Sequence, residues 1–418
     1  MKILFKNANI IDSDREELNK NVLVEDGKIR EIFGQTDSLP EADETYDLKG
    51  RWLMPGMVDM HTHLNAETGI NKSGVNGKLW RMLTPSPEKA LHFLRNAQLT
   101  LMAGFTTVRN CGHVTYYTPE DVAVREAIYH DVAVGPNIIA CAGFITMTAG
   151  HGDLSYPQKL RRLPEYGMGE RTFNGPWECV EGVREKVRNG ADFIKVMASG
   201  GMGSSGDEPD WPNFTVGELS AIVSEAHALK RKVAAHTHCR EASVRCIQAG
   251  IDTIEHGCGL TDDLCEMMVD KGLYLIPTMR VVDVLVNSDD KEEAKKASLL
   301  VEDHHNAFRS AIRTGVKMAY GTDSINALKH GENGLEILSM RDGGMPSKMV
   351  FDCLTSNAAD ALGKADVQGY IREGYNADLI VTPKQPVENI EYLSEAVHVE
   401  LVMIRGKVVK NIMEDSSF

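Results

Sequence analysis

The sequence predicts an α/β protein: a (β/α)8 TIM barrel with a small β-sandwich domain built from the N- and C-terminal segments. Three observations lead there. Both ends of the chain are β-rich and punctuated by hairpin dipeptides, the middle alternates amphipathic stretches with β-rich runs, and that alternation supplies eight strands. At 418 residues the chain is longer than one ordinary small domain of about 150 residues, and a barrel of about 250 residues with insertions plus an accessory domain fits its length.

The first strand is expected at Lys2 to Ile11, where polar and β-branched residues mix. NVLVEDGKIREIF then places Asp26-Gly27 between two apolar runs, a hairpin signal. At the far end ADLIVTP reads as a strand and VELVMIRGKVVKN as a hairpin about Arg405-Gly406. Residues 1–55 and 365–418 are therefore assigned to a composite β domain, and 56–364 to the barrel. Between them, Gly104 precedes FTTVR, Gly135 NIIAC, Gly190 FIKVM, Gly250 DTIEH, Gly272 LYLIPT and Gly315 KMAYGTD. A glycine suits the left-handed position that ends a helix, so each marks a helix followed by a buried strand. Met57 to Met60 and Val233 to Ala235 complete the eight. A doubly wound open sheet is the alternative, but no GxGxxG sits on a strand-to-helix turn and no GxxxxGK[ST] occurs. The segments 64–85, 142–177 and 198–214 are long and rich in Gly, Pro, Ser and aromatic residues, as expected of loops that form a substrate pocket. The charged run 289–296 reads as the solvated face of a helix, and His304-His305 as exposed helix histidines.

Hydrophobic residues make up 42% and charged residues 25% of the chain, enough for a sizeable core. With 45 basic and 60 acidic residues the formal charge is -15, which repels nucleic-acid phosphates and anionic membrane surfaces and points to a small-molecule or dipeptide substrate. Eight scattered cysteines without a CxxC pair read as reduced thiols, and the N-terminus lacks the apolar stretch of a signal peptide, so a soluble cytoplasmic protein is expected. The uncharged stretch 132–150 is broken by Gly135-Pro136-Asn137 and Gly143, and reads as a buried strand and its loop rather than a membrane span.

His61-Thr62-His63 follows the apolar run MPGMVDM, and residues two apart on a strand point to the same side. If that run is a barrel strand, both imidazoles stand at its C-terminal end, where barrel active sites are built. Lys195 in FIKVM, His236 in KVAAHTH, His256 in DTIEHG and Asp323 in MAYGTDS occupy equivalent places. Burying such groups unpaired costs about 2–7 kcal/mol each, and a shared metal removes that cost. Within HTH, both His236 and His238 can face the site. Lys195 is the odd member, since an ammonium has no lone pair for a cation. It either pairs with a carboxylate inside the barrel or, as a desolvated amine, takes up carbon dioxide to give a carbamate able to bridge two metals.

The set PGMVDMHTH, FIKVMASGG, HTHC, IEHG and GTDS resembles the amidohydrolase superfamily, specifically its two-metal group with a carboxylated lysine. The resemblance extends to TSNAADALG and GYNADLIV near the C-terminus and so covers nearly the whole chain. It implies that His61, His63 and Asp323 bind one divalent ion, His236 and His256 a second, and Lys195, as its carbamate, both. It also implies a hydroxide between the metals as nucleophile, with Asp323 carrying its proton to the leaving nitrogen. His151, in TMTAGHGD, resembles a position facing the substrate carbonyl, and His238 is a further candidate for substrate contact. The nitrogen and oxygen donors suit zinc, and homo-oligomers are common among such barrels.

Within the superfamily the chain is similar to the branch of imidazolonepropionases and metal-dependent dipeptidases, with TAGHGD, AAHTH and DTIEHG leaning toward the peptidases. Hydrolysis of a dipeptide or N-acyl amino acid is the leading expectation, ring opening of an imidazolone the alternative. A deaminase is a third reading, against which Lys195 counts. A binding protein that has lost catalysis would have no need of the complete ligand set.

Overall fold

The computed structural model describes residues 1–35, 38–66, 84–112, 119–153, 171–325 and 328–413. Parts of two of the three expected pocket loops, 67–83 and 154–170, lie outside the described residues.

The chain opens with β1 (Lys2–Ile11), β2 (Glu16–Glu25), β3 (Lys28–Phe33), β4 (Glu44–Asp47) and β5 (Trp52–Pro55). With three strands from the other end, β15 (Leu379–Thr382), β16 (Leu401–Ile404) and β17 (Lys407–Asn411), they form one eight-stranded sheet in the order β17-β16-β15-β5-β1-β2-β3, β4 pairing with β1. Asp26 and Gly27 (φ 50° and 79°) turn β2 into β3, and Arg405 and Gly406 (φ 48° and 70°) turn β16 into β17. These are the paired left-handed residues that a two-residue hairpin with the natural strand twist requires. The two tips meet: a Cβ on Gly406 would lie 2.7 Å from the Gly27 Cα. Hairpins from opposite ends of the sheet thus touch, and the sheet folds over an apolar filling of Ile3, Phe5, Ile10, Val22, Val24, Leu379, Val381, Leu401 and Met403. Alternation sends Met54, Ile380, Val402 and Ile404 to the other face, where they join the core beneath the barrel.

The intervening chain forms a barrel of parallel strands. Its first arc is β6 (Met57–Thr62), β7 (Phe105–Asn110) and β8 (Asn137–Ala140). The second runs through β9 (Phe144–Ile145), β10 (Phe193–Met197), β11 (Lys232–Thr237), β12 (Thr253–His256), β13 (Tyr274–Ile276) and β14 (Lys317–Met318). β8 and β9 are two pieces of the third strand position, parted where Ala142 and Gly143 adopt positive φ. The amides freed at Cys141 and Ala142 donate to the buried Asp121 carboxylate at 3.2 and 3.1 Å. At the other seam Met60 N–H donates to Tyr320 O (2.8 Å) and Asp323 N–H to His61 O (2.7 Å), joining the first strand to the chain beyond β14. Eight strand positions result, as the alternation predicts.

Helices cover the outside: α1 (Ser86–Met102), α2 (Glu120–Tyr129), α3 (Gly175–Arg188), α4 (Val216–Ala228), α5 (Arg240–Ala249), α6 (Asp262–Lys271), α7 (Met279–Leu285), α8 (Lys291–Thr314), α9 (Glu336–Asp342), α10 (Ser347–Leu354) and α11 (Ser356–Leu362). α4 starts with a reciprocal box in which Thr215 Oγ1 accepts from Glu218 N–H and the Glu218 side chain accepts from Thr215 N–H. α5, α6 and α8 end as expected on left-handed Gly250, Gly272 and Gly315. Gly135 does not act this way. α2 stops at Tyr129, the left-handed residue is Asp131 (φ 57°), and Gly135 instead packs under Ile128.

α8 also corrects two expectations. Glu293 and Lys296 of the charged run are buried, because Lys296 Nζ reaches across to the carbonyls of Ser204 (2.7 Å) and Asp207 (2.6 Å). His304 is buried as well, 2.7 Å from Pro277 O through Nε2, and His305 is partly buried against Asp283. Among the described residues no helix is long and apolar enough to cross a membrane.

Candidate metal centre

The predicted site residues converge at the C-terminal ends of the barrel strands. β6 delivers His61 within the strand and His63 just past it, β10 Lys195, β11 His236 and then His238, β12 His256, and the segment beyond β14 Asp323. His61, Lys195, His236, His238, His256 and Asp323 are each at most 6% exposed. A single charge at such depth is costly, so their gathering calls for a partner of opposite or bridging character.

Among the described residues His61, Cys111 and Glu255 have donor atoms close enough to share an ion, and so do two groups at the strand ends, His61, His256 and Asp323, and His236, His238 and His256. His256 belongs to both, its ring 4.9 Å from that of His61, 4.6 Å from His236 and 4.7 Å from His238. Asp323 Oδ1 lies 3.1 Å from His63 Nε2 and 3.7 Å from His61 Nε2, and its Oδ2 lies 4.0 Å from His256 Nδ1. His256 (φ 66°) and Asp323 (φ 51°) both hold the left-handed backbone that side-chain-bearing residues avoid, strain of a kind that gathers at functional sites.

The protein fixes several imidazoles through their second nitrogen. A carbonyl or carboxylate oxygen only accepts, so each such contact puts the proton on the nitrogen it faces. His61 Nδ1 donates to Glu255 Oε2 (2.7 Å), His63 Nδ1 to Gly112 O (2.9 Å) and His236 Nε2 to Gly200 O (3.1 Å). In His61 and His236 the other ring nitrogen is left as a lone pair, the form that binds a cation, whereas His63 Nε2 faces Asp323 Oδ1 at 3.1 Å. Burial keeps four of the buried rings neutral: the imidazole of His61 falls to about 4, with the Lys195 charge adding to the effect, and those of His236, His238 and His256 fall well below their ordinary value. For Asp323 burial acts upward, but the neighbouring His61, the hydrogen bond from His63 and the nearby Lys195 outweigh it and hold the carboxylate ionised.

Lys195 Nζ is buried and has no hydrogen-bond partner among the described residues. The carboxylate pairing that its sequence context allowed is not formed. An orphaned amine beside neutral histidines and an ionised aspartate fits a site completed by cations, and the donors suit divalent metal.

Several residues of the site escaped sequence reasoning. Glu255 lies fully buried between His61 and Arg109, whose Nη2 donates to its Oε1 at 2.6 Å while Nε donates to Met60 O at 2.6 Å. Arg109, the fifth residue of FTTVR, thus forms a buried ion pair with Glu255. Asp59 is also fully buried and accepts from the amides of His61 and Thr322 (both 3.1 Å), Thr322 Oγ1 (2.7 Å) and Asn333 Nδ2 (2.9 Å). Burial raises its carboxyl to about 6. A charged residue inside an apolar strand was the available signal for both. His330 is buried beside His63 and lowered to about 4 by that burial, with no local signal in the sequence. His151 reaches the cluster from the segment after β9, its ring stacked on His236 at 4.6 Å.

The amidohydrolase family matches residues 52–409. Ochratoxinase of Aspergillus niger is 30% identical over 96% of this chain and 85% of its own. Among solved structures, a Xaa-Pro dipeptidase with bound methionine superposes with a TM-score of 0.87 at 28% identity, covering 98% of this chain and all of that one. A prolidase complexed with N-methylphosphonate-L-proline does so with a TM-score of 0.87 at 26% identity, covering 98% and 100%. The chain belongs to the amidohydrolase family, in its dipeptidase-like branch, as a hydrolase of amide or peptide carbon–nitrogen bonds.

Proposed function

We propose that the protein hydrolyses the amide bond of a dipeptide or N-acyl amino acid in the cytoplasm, using two divalent metal ions, zinc by preference. The observation that carries this reading is the unpartnered, buried Lys195 Nζ amid His61, His236, His256 and Asp323. Carboxylated by carbon dioxide, with loss of one proton from its nitrogen, Lys195 becomes an anionic oxygen donor. It then completes a set with His61, His63 and Asp323 on one side and His236 and His256 on the other. Metals held there supply Lewis acidity, lowering the pKa of water and polarising a carbonyl.

The remaining chemistry belongs to the chain's own side chains. Asp323, kept ionised by its neighbours, accepts the proton of the attacking water and returns it to the leaving nitrogen, one carboxylate acting first as base and then as acid. His151 and His238 face the bound amide. Two similar structures hold ligands with a free carboxylate, methionine and N-methylphosphonate-L-proline, which favours a substrate ending in one.

The test is a library of dipeptides and N-acyl amino acids offered as free acids and as amides to metal-loaded protein, with an imidazolone as control. Preferential turnover of free acids is expected, and equal rates for capped substrates would remove the carboxylate from the proposal. Lys195→Ala should bind about one metal ion or fewer per chain instead of about two and lose turnover. Full activity in that variant without added carboxylic acid would rule out the carbamate.

A further inference from the structure

One line of polar contacts runs from the metal centre to the outside of the barrel without taking part in anything described so far. It begins at His151, whose Nδ1 lies 2.7 Å from Ser204 Oγ. Ser204 Oγ in turn lies 2.6 and 2.7 Å from the two oxygens of Asp207. Asp207 is 2% exposed and also accepts from Gly201 N–H at 2.9 Å. Behind it stands Lys296 of α8, itself 2% exposed, with Nζ 3.6 Å from Asp207 Oδ1 and hydrogen-bonded to the carbonyls of Ser204 and Asp207. A buried lysine brought from a helix three strand positions away thus fastens the 198–214 segment at the two residues that lead to His151.

The direction of this chain follows from its donors and acceptors. A serine hydroxyl has one proton and the Asp207 carboxylate is met by donors, so Ser204 donates to Asp207 and must accept from His151. His151 therefore carries its proton on Nδ1 and its lone pair on Nε2. Packing fixes the same ring: a Cβ on Gly201 would lie 2.2 Å from both Nδ1 and Cε1 of His151, so the imidazole rests on a glycine that leaves room for it.

We propose that Ser204, Asp207 and Lys296 are positioning residues that lock His151 in the Nδ1–H tautomer over His236, so that Nε2 is presented to the substrate as a hydrogen-bond acceptor for an N–H or water donor. This rests on the placement of His151 at the substrate in the proposed hydrolase. It adds that the active ring orientation is set from outside the barrel, through α8.

Two readouts test it on the full-length, metal-loaded protein. The first is the two-bond proton–nitrogen spectrum of protein labelled with 15N-histidine, with the His151 signals identified by their loss in His151→Gln. The wild type should show the Nδ1–H pattern at neutral pH, and Ser204→Ala should move His151 toward the Nε2–H form. An Nε2–H pattern in the wild type, or an unchanged pattern in Ser204→Ala, overturns the proposal whatever the substrate proves to be. The second readout is steady-state kinetics on whichever free-acid amide the wild type cleaves. Ser204→Ala should lower kcat by about ten-fold or more with KM within about three-fold and metal content unchanged, the size expected when a partner orienting a functional histidine is lost. Ser204→Thr, which keeps the hydroxyl, should stay within about three-fold of wild type. Gly201→Ala, which keeps Ser204, Asp207 and Lys296 but displaces the ring from them, should fall with Ser204→Ala. Equal kcat in Ser204→Ala and wild type would refute the relay, while absence of any amide turnover in the wild type would refute the hydrolase reading and leave the spectrum to decide this one.

Discussion

At Glu255 the site and the fold share one side chain. It lies between a guanidinium and a metal-side imidazole, with Arg109 Nη2 at 2.6 Å on one oxygen and His61 Nδ1 at 2.7 Å on the other. Burial raises its carboxyl, but the charge of Arg109 and the hydrogen bond from His61 more than reverse this, so it stays ionised. Glu255→Gln keeps the shape and removes the charge. The Arg109 guanidinium is then buried with its charge uncompensated, a loss of about 3–5 kcal/mol when one member of a buried pair is removed. His61 also loses the acceptor that fixes its tautomer, and metal affinity should fall by about 10–100-fold. Urea unfolding in the presence of chelator isolates the first effect, and a metal titration of the folded variant the second. Wild-type stability and affinity together would show that Glu255 merely fills space. Glu255 also shows why part of the site could not be read in the sequence. Strand alternation separates it from His256, its neighbour in the chain, yet the left-handed backbone of His256 lets both side chains reach His61. His61, His63, Lys195, His236, His256 and Asp323 were legible because each follows an apolar run at a strand end. Ser204 and Asp207 sit in a loop whose partners come from α8, and nothing local announces them.

At the scale of the element, α8 carries the same lesson. Glu293, Lys296, Ala297, Leu300, His304, Ala307, Phe308 and Ala311 are its buried residues, a helical face that includes an acid, a base and an imidazole. Local charge marks residues 289–296 as solvated, and polar partners, among them the distant carbonyls of Ser204, Asp207 and Pro277, offset the cost of burial. The strands and the glycine-capped helices α5, α6 and α8, by contrast, depend on local pattern and were legible. His304 yields a pH prediction. Burial lowers its imidazole from the ordinary 6.5 to about 4. Between those values the unfolded chain binds a proton that the folded chain refuses, so this contribution to stability is complete above about pH 6.5 and is lost as the pH falls toward 4. His304→Gln keeps an N–H for Pro277 O and does not titrate. The wild type should therefore lose stability more steeply than the variant from pH 7 to 4.5, by a difference on the order of 2 kcal/mol. Chemical unfolding of both proteins at several pH values, in chelator, measures it, and parallel curves would show that His304 is not the group responsible.

At the scale of the molecule, the folded-over sheet and the barrel share a core. Met54, Ile380, Val402 and Ile404 of the sheet belong to the same apolar cluster as Phe93, Phe105 and Val108 of the barrel layer. Polar groups cross the same boundary: Asp378 accepts from Arg405 N–H (2.7 Å) and from Asn137 Nδ2 (2.8 Å), and Arg405 Nη1 donates to Asn137 Oδ1 (2.9 Å). The barrel's first strand β6 follows β5 of the sheet after a single residue, Gly56, and β6 carries His61. Loss of packing in the sheet should therefore be felt at the metal centre, and metal at the centre should stabilise the sheet. Ile380→Ala deletes buried methyl groups at this boundary and should cost about 2–5 kcal/mol. If sheet and barrel unfold as one unit, far-UV circular dichroism and the fluorescence of Trp52, on β5, together with Trp177 and Trp211 should report one transition in the wild type and one, at lower denaturant, in the variant. Added metal should then raise both midpoints, because an ion that binds only the folded chain stabilises everything that unfolds with its site. Two resolved transitions, with only one of them moved by Ile380→Ala and only the other by metal, would show that the sheet is an independent domain and that its contact with the barrel carries no coupling.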